Sequence, residues 1–317
     1  IMSLQEKEIK IKEIELELLK LKDDQEIDHT LQIQDLENTK AKLEAEAYRN
    51  ISAYDRVYLA RKADRPNVYE YIENLFDDFI ELHGDRLYKD DGSIVGGLAM
   101  FNNIPCTVIG HLKGRTLEEN LKCNFGMSSP EGYRKAMRLM KQAEKFNRPI
   151  ITFVDTPGAY PGLKAEKHGI GEAIARNLME MSKLTVPIIV IVIGEGGSGG
   201  ALALSIGDRM VMLENSVYSV LSPEGFASIL WKDKNGSRVS EAAELMKMTS
   251  ADLYEMKIID KIIKEPRGGI TKNREYVYKR LRVYIRDSLE ELMKLSKTSL
   301  ITKRYNKFRE MGRITND

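Results

Sequence analysis

The chain has 317 residues, 42% apolar and 31% charged, enough to bury a substantial core in one large domain or two ordinary ones. Its 49 basic and 48 acidic side chains leave a formal charge of +1, so bulk electrostatics favour neither nucleic acid nor a membrane surface as partner. Cys106 and Cys123 have no Cys or His at ligand spacing, which excludes a zinc site built from this chain alone and argues against a disulfide scaffold.

The longest apolar run, Val186 to Ile193, is too short to span a bilayer. Charges from Glu6 onward do not fit a signal peptide, so a cytoplasmic location is expected. Residues 4–50 lack Gly and Pro, and Ile14, Leu18 and Leu21, then Ile27 and Leu31, then Leu36 and Leu43, follow helical spacing. Lys22-Asp23-Asp24-Gln25 interrupts the stripe, which predicts two antiparallel helices. So narrow a stripe cannot make a core of its own, so residues 1–65 read as an arm that docks on this chain or on a partner.

Tyr69 to His83 reads as an amphipathic helix closed by Gly84-Asp85. Strands are predicted at Ile94-Val95, Leu98–Phe101 and Cys106–Gly110, with a turn at Asn102-Asn103. A helix then runs from Pro130 to Phe146 with Ser129 as N-cap. The buried strand Pro149–Asp155 leads into the loop Thr156–Gly162. A helix over Gly171–Leu184 precedes a second buried strand, Pro187–Ile193, and the run GEGGSGGALAL from Gly194. Further strands are expected at Met210–Glu214 and Val217–Leu221, and a helix from Ser222 to Trp231. A long helix is predicted from Lys272 to about Lys297. Helices alternating with all-apolar strands predict an α/β fold with a mainly parallel sheet covered on both faces.

Five of the seven residues Gly194–Gly200 are glycine. As G-x-G-x-x-G the run matches a dinucleotide loop, with Glu214 at the ribose position, but Gly207-Asp208 ends the next helix too early for a Rossmann crossover. As G-x-S-x-G it mimics a nucleophile elbow, yet His29, His83, His111 and His168 all precede Ser198, and His168 lies in a charged loop with nothing to position it. A Walker loop would need a Lys after the glycines. A third reading uses only backbone: a helix N-terminus offers unpaired N–H groups to an oxygen that becomes negative during reaction. Close helix–strand packing would explain one or two of the glycines.

The motifs DDFIELHGDR (77–86), VGGLA (95–99), IGHLKGR (109–115), PEGYRKAMRLMKQAEKFNRPIITFVDTPGAYPG (130–162), VIGEGGSGGALAL (192–204) and YSVLSPEGFASILWKD (218–233) together resemble the alpha subunits of bacterial acetyl-CoA carboxylase carboxyltransferase. The resemblance runs from about residue 50 to Tyr305–Arg309. It implies a crotonase-like core over 66–265, with the N-terminal arm before it and a helical extension over 266–317. It also implies an ATP-dependent holoenzyme containing a zinc-ribbon beta subunit, a biotin carboxyl carrier protein and biotin carboxylase, with an alpha2beta2 transferase. In that transferase a carboxyl group passes from carrier-bound carboxybiotin to acetyl-CoA, giving malonyl-CoA for fatty acid synthesis, with no protein base and no metal in this chain. Carried onto this sequence, it places the oxyanion-hole amides at Gly199, Gly200 and Ala201. Gly158, Ala159, Gly196 and Gly197 are secondary binding candidates, and Lys113 and Arg115 are candidate contacts for coenzyme A phosphates. The scarcity of histidine around the run fits that scheme. Glu195 and Ser198 are expected to play no chemical part, and Phe226, Ile229, Leu230 and Trp231 to be core or interface. Two rival readings stay open: a self-sufficient acyl-CoA hydratase, isomerase or hydrolase using Glu172 or Glu195, and a non-catalytic scaffold.

Overall fold

The computed structural model describes residues 2–24 and 28–313; Ile1, Gln25 and Ile27 of the sequence reading lie outside the described residues. The arm is α1 (Leu4–Asp23), opened by a Ser3–Glu6 capping box, and α2 (Thr30–Ala47). The ion pairs Lys7–Glu46, Glu15–Lys40 and Lys22–Glu37 run in opposite order along the two helices, which fixes them as an antiparallel pair. Leu4 and Ile11 bury against Leu59 and Tyr58 of the next helix, α3 (Ala53–Ala60). The Glu8 carboxylate accepts from the Tyr48 and Tyr58 hydroxyls and from Lys62 Nζ. The base of the arm therefore rests on this chain's own body, while Ile9, Leu16, Leu19 and Leu31 stay exposed.

The expected helix over Tyr69–His83 is shorter. α4 (Val68–Leu75) stops at Phe76, whose ring packs on Phe101 and Phe153, and the rest becomes strand β1 (Asp77–Glu81). The edge of β2 (Ile94–Phe101) captures it, with Glu81 opposite Gly97. Gly97 permits this approach, because a Cβ there would stand 2.1 Å from the Ile80 carbonyl oxygen. β3 (Ile104–His111) follows through Asn102-Asn103, both in the left-handed region. Next come α5 (Leu117–Lys122), α6 (Pro130–Lys145), β4 (Ile150–Thr156), α7 (Leu163–Lys167) and α8 (Ile170–Lys183). Ser129 occupies the N-cap position of α6, but its hydroxyl binds Asp91 instead of the helix.

β5 (Ile188–Gly197) extends through half of the glycine run before α9 (Ser198–Leu202). Then follow β6 (Arg209–Leu213), β7 (Val217–Ser219), α10 (Pro223–Trp231), α11 (Val239–Leu245), α12 (Ser250–Glu255) and β8 (Lys261–Ile263). The predicted C-terminal helix is α13 (Arg274–Leu292), slightly shorter than expected, and a further helix, α14 (Lys297–Glu310), starts beyond it at the Ser296 cap.

The strands form one sheet in the order β1-β2-β3-β4-β5-β6-β8, antiparallel across β1 to β3 and parallel from β3 onward, with β7 added to the end of β5. Alternation along β5 supplies both cores. Ile189, Ile191 and Ile193 face α4 and α13, while Ile188, Val190 and Val192 face α6 and α8. The C-terminal extension is anchored by Arg304, fully buried, which pairs with Asp208 and donates to the Met181, Leu184 and Val186 carbonyls.

Candidate active site

β4 and β5 are parallel neighbours, with Thr156 opposite Gly196, so the loops leaving their carboxyl ends share one crevice. β7 pairs with the other edge of the same segment, Gly196 opposite Tyr218 and Gly197 opposite Ser219. Gly194–Gly197 thus belong to strand β5, with Gly196 paired on both sides, and are not loop as the sequence suggested.

Four of the five glycines answer to the protein's own packing. A Cβ on Gly194 would stand 2.5 Å from an Asp155 carboxylate oxygen, one on Gly196 2.4 Å from the Tyr218 ring, and one on Gly197 2.1 Å from the Pro157 carbonyl oxygen. On Gly200 it would meet Ala159 N and Gly158 C, each at 2.6 Å, and Tyr133 Oη at 2.8 Å. Gly199 differs: its nearest neighbour would be Ile174 at 3.6 Å, an ordinary contact. Close packing, expected for one or two glycines, therefore explains four.

α9 begins with Ser198, exposed and left-handed at φ 53°. Gly197 offers no capping side chain, so the N–H groups of Ser198, Gly199 and Gly200 have no helical acceptor. On the neighbouring loop the Gly158 N–H donates to Thr156 Oγ1 at 3.1 Å and is committed there, whereas the Ala159 N–H has no protein acceptor among the described residues. Ala201 is fully buried behind the first turn, and Ser205 Oγ donates to its carbonyl. Ser198 and Gly199 stand at the rim of a cavity of about 540 Å³ walled by Leu202, Tyr218, Val220, Leu221, Phe226 and Met256. Phe226 packs edge-on to Trp231, while Ile229 and Leu230 are 70% and 62% exposed.

Behind the crevice lies an ion-pair network. Lys113 Nζ sits 2.9 Å from Asp155 and 3.2 Å from Glu195, and Arg61 bridges Glu195 and Glu224. Burial would lower the Lys113 pKa, but Asp155 and Glu195 outweigh it and raise it. Burial likewise works to raise Glu195, and Lys113 and Arg61 overcome it to hold the carboxyl below the usual range. Lys113 thus directs its ammonium toward Asp155 and Glu195. Arg115 pairs with Glu70 on the surface. Glu172 is exposed and paired with Arg176, so neither it nor Glu195 is a free base.

Sequence reasoning missed three buried polar residues around α9. His111 is fully buried at the end of β3 against the Phe153 and Gly200 backbone, and neither ring nitrogen makes a well-formed hydrogen bond among the described residues. Burial, aided by the Lys113 charge, pushes it down to about 3, so the imidazole is neutral at ordinary pH. Histidine is therefore not scarce at the run; it sits behind it. Asn177 and Tyr133 are the other two, and their only sequence signal was a polar residue on an otherwise apolar helix face. His168 is held after all, by Glu131 at 2.6 Å and by Arg134, which donates to its carbonyl. Among the described residues no cluster fit to hold a metal occurs, and no helix is long and apolar enough to cross a membrane.

A family model described as acetyl co-enzyme A carboxylase carboxyltransferase-like matches residues 3–312. The acetyl-coenzyme A carboxylase carboxyl transferase subunit alpha of Bacillus cytotoxicus is 55% identical over 290 residues, covering 92% of this chain and 89% of that protein. Its counterpart in Alkaliphilus oremlandii is 53% identical, covering 94% and 93%. Among solved structures, transcarboxylase 12S, with methylmalonyl-coenzyme A and methylmalonic acid bound, aligns with a TM-score of 0.59 at 20% identity, covering 77% of this chain and 46% of that one. The fold is crotonase-like, as the resemblance implied.

Proposed function

Because this chain belongs to the family of acetyl-CoA carboxylase carboxyltransferase alpha subunits, a family of transferases, we propose that it forms half of a composite active site with a zinc-ribbon beta subunit. In that site a carboxyl group moves from carboxybiotin on a carrier protein to acetyl-CoA. When bound, carboxybiotin supplies the carboxyl group and presents a ureido oxygen that gains negative charge.

This chain contributes fixed donors. The N–H groups of Gly199 and Gly200 open the first turn of α9 and face that oxygen, each amide lowering the barrier by about 2.7–4 kcal/mol. The observation that carries this reading is Gly199, the one glycine of the run that no internal contact requires. The adjoining cavity, lined mostly by apolar side chains, fits an uncharged bicyclic ring. Ala159 is the reserve donor, and Ala201 backs the turn. Gly158, Gly196 and Gly197 shape the crevice without donating. Lys113 and Arg115, committed to carboxylates, are left out of coenzyme A recognition.

We further read residues 1–65 as an arm whose exposed apolar stripe meets a partner, 66–265 as the catalytic core and 266–317 as its helical extension, in an alpha2beta2 assembly in the cytoplasm. The test is co-purification with a zinc-containing partner, followed by malonyl-CoA decarboxylation in the presence of free biotin. Gly199→Val should abolish that activity, by at least 100-fold, and leave assembly intact. Turnover of an enoyl- or acyl-CoA by the isolated chain would sink the proposal in favour of the hydratase reading.

A further inference from the structure

α9 has five residues, too few to hold its own position, and the oxyanion reading above depends on where it sits. Three side chains outside the crevice govern that. Asn177 on α8, 1% exposed, donates from Nδ2 to the Tyr133 carbonyl on α6 at 3.1 Å and to the Ala203 carbonyl at the end of α9 at 3.3 Å. One turn earlier on α8, Ile174 meets the Gly199 side of the same helix.

Tyr133 completes the support. It is 0% exposed, and its hydroxyl, not its ring, is what meets Gly200, at 2.8 Å from the position a Cβ would take. The Ala159 nitrogen reaches that same position at 2.6 Å, so the hydroxyl stands in the seam between α9 and the Gly158–Ala159 loop. Among the described residues it has no hydrogen-bond partner. A buried hydroxyl without a partner is unfavourable, and phenylalanine would fill the ring's volume without that penalty. The group thus works against stability at the one place where it limits how far α9 can settle toward α6.

We propose that Tyr133 is a positioning residue for carboxyl transfer: its hydroxyl is the stop against which Gly200 rests, and with Asn177 it sets the direction of the α9 amides. This rests on the oxyanion reading. Removing the stop lets the first turn retreat, and small displacements of fixed donors are expensive in rate.

The test is Tyr133→Phe in the enzyme assembled with its beta partner, assayed by malonyl-CoA decarboxylation with free biotin and, in parallel, by thermal melting. The expected result is a fall in kcat of about tenfold, with KM within twofold and Tm unchanged or higher. A purely structural tyrosine would lower Tm and leave kcat alone. A kcat within threefold of the parent overturns the proposal whatever Tm does. Asn177→Ala should reproduce the kcat loss while lowering Tm, and an unchanged kcat there breaks the link through α9. Gly199→Val separates the two layers. If it keeps full activity, the oxyanion reading fails; if it is dead while Tyr133→Phe is silent, only the role of Tyr133 fails.

Discussion

A Cβ on Gly200 would stand only 2.6 Å from the Ala159 nitrogen, so α9 has no room for a side chain on the face it turns to the β4 loop. Gly200→Ala must therefore push the β4 loop away from α9, an overpacking expected to reduce stability by about 1–3 kcal/mol. Gly199→Ala, which meets only Ile174 at 3.6 Å, should leave stability within about 1 kcal/mol of the parent. Denaturant unfolding of the two single variants checks the contrast, and equal losses would contradict the packing assignment.

Arg65 and Glu265 form a buried pair, their side chains 4% and 0% exposed, with Arg65 Nε also donating to the Ile193 carbonyl on β5. Arg65→Met leaves the Glu265 carboxylate without its cation and should destabilise by about 3–5 kcal/mol. The double variant Arg65→Met/Glu265→Leu should recover a large part of that. Burial favours the neutral acid at Glu265, but Arg65 and Asn215 outweigh it and hold the carboxyl below its ordinary value. Its stabilising contribution is therefore complete above the unfolded carboxylate pKa and is lost as pH falls through the lower folded value. Urea titrations of the variants at neutral and acid pH measure both effects.

His111 gives the opposite chemical group the same direction of pH dependence. Its pKa is about 3 in the folded chain and about 6.5 when unfolded. Between those values the unfolded chain binds the extra proton, so stability declines on acidification from about pH 6.5, by up to about 1.4 kcal/mol per pH unit. In His111→Gln that proton uptake is missing, and the stability curve over the same interval should flatten. Proton-linked unfolding followed from pH 7 to 4 decides it; parallel curves for parent and variant would assign the acid lability elsewhere.

Glu8 gathers Tyr48, Tyr58 and Lys62 onto one carboxylate at the base of the arm. Glu8→Ala should loosen α1 and α2 while leaving the sheet intact. Limited proteolysis should then cut within residues 4–50 several times faster, with the main melting transition shifted by only about 2–4 °C. A large fall in the main transition would mean that the arm is integral to the core.

Much of the body was legible in the sequence because its signals are local. The apolar runs of β4 and β5, the Ser222-Pro223 start of α10 and the break between α1 and α2 all follow from periodicity and capping. The helix expected over Tyr69–His83 failed because Asp77–Glu81 answers to a distant edge, that of β2, which no local pattern reveals. The site divided in the same way. That the β4 and β5 loops share a crevice follows from strand adjacency. That Lys113 turns inward depends on Asp155 and Glu195, 42 and 82 residues away in sequence, and the packing of Tyr133 and His111 around Gly200 is likewise tertiary.

The division of labour within the glycine run bears on how such a motif is read across a lineage. Gly194, Gly196, Gly197 and Gly200 are held by contacts that any folded copy must keep, whether or not it turns over substrate. A descendant that had lost catalysis would still display nearly the whole run under selection for folding alone. The letter that would drift first is Gly199, so a pseudoenzyme in this family should be recognised by what has replaced it.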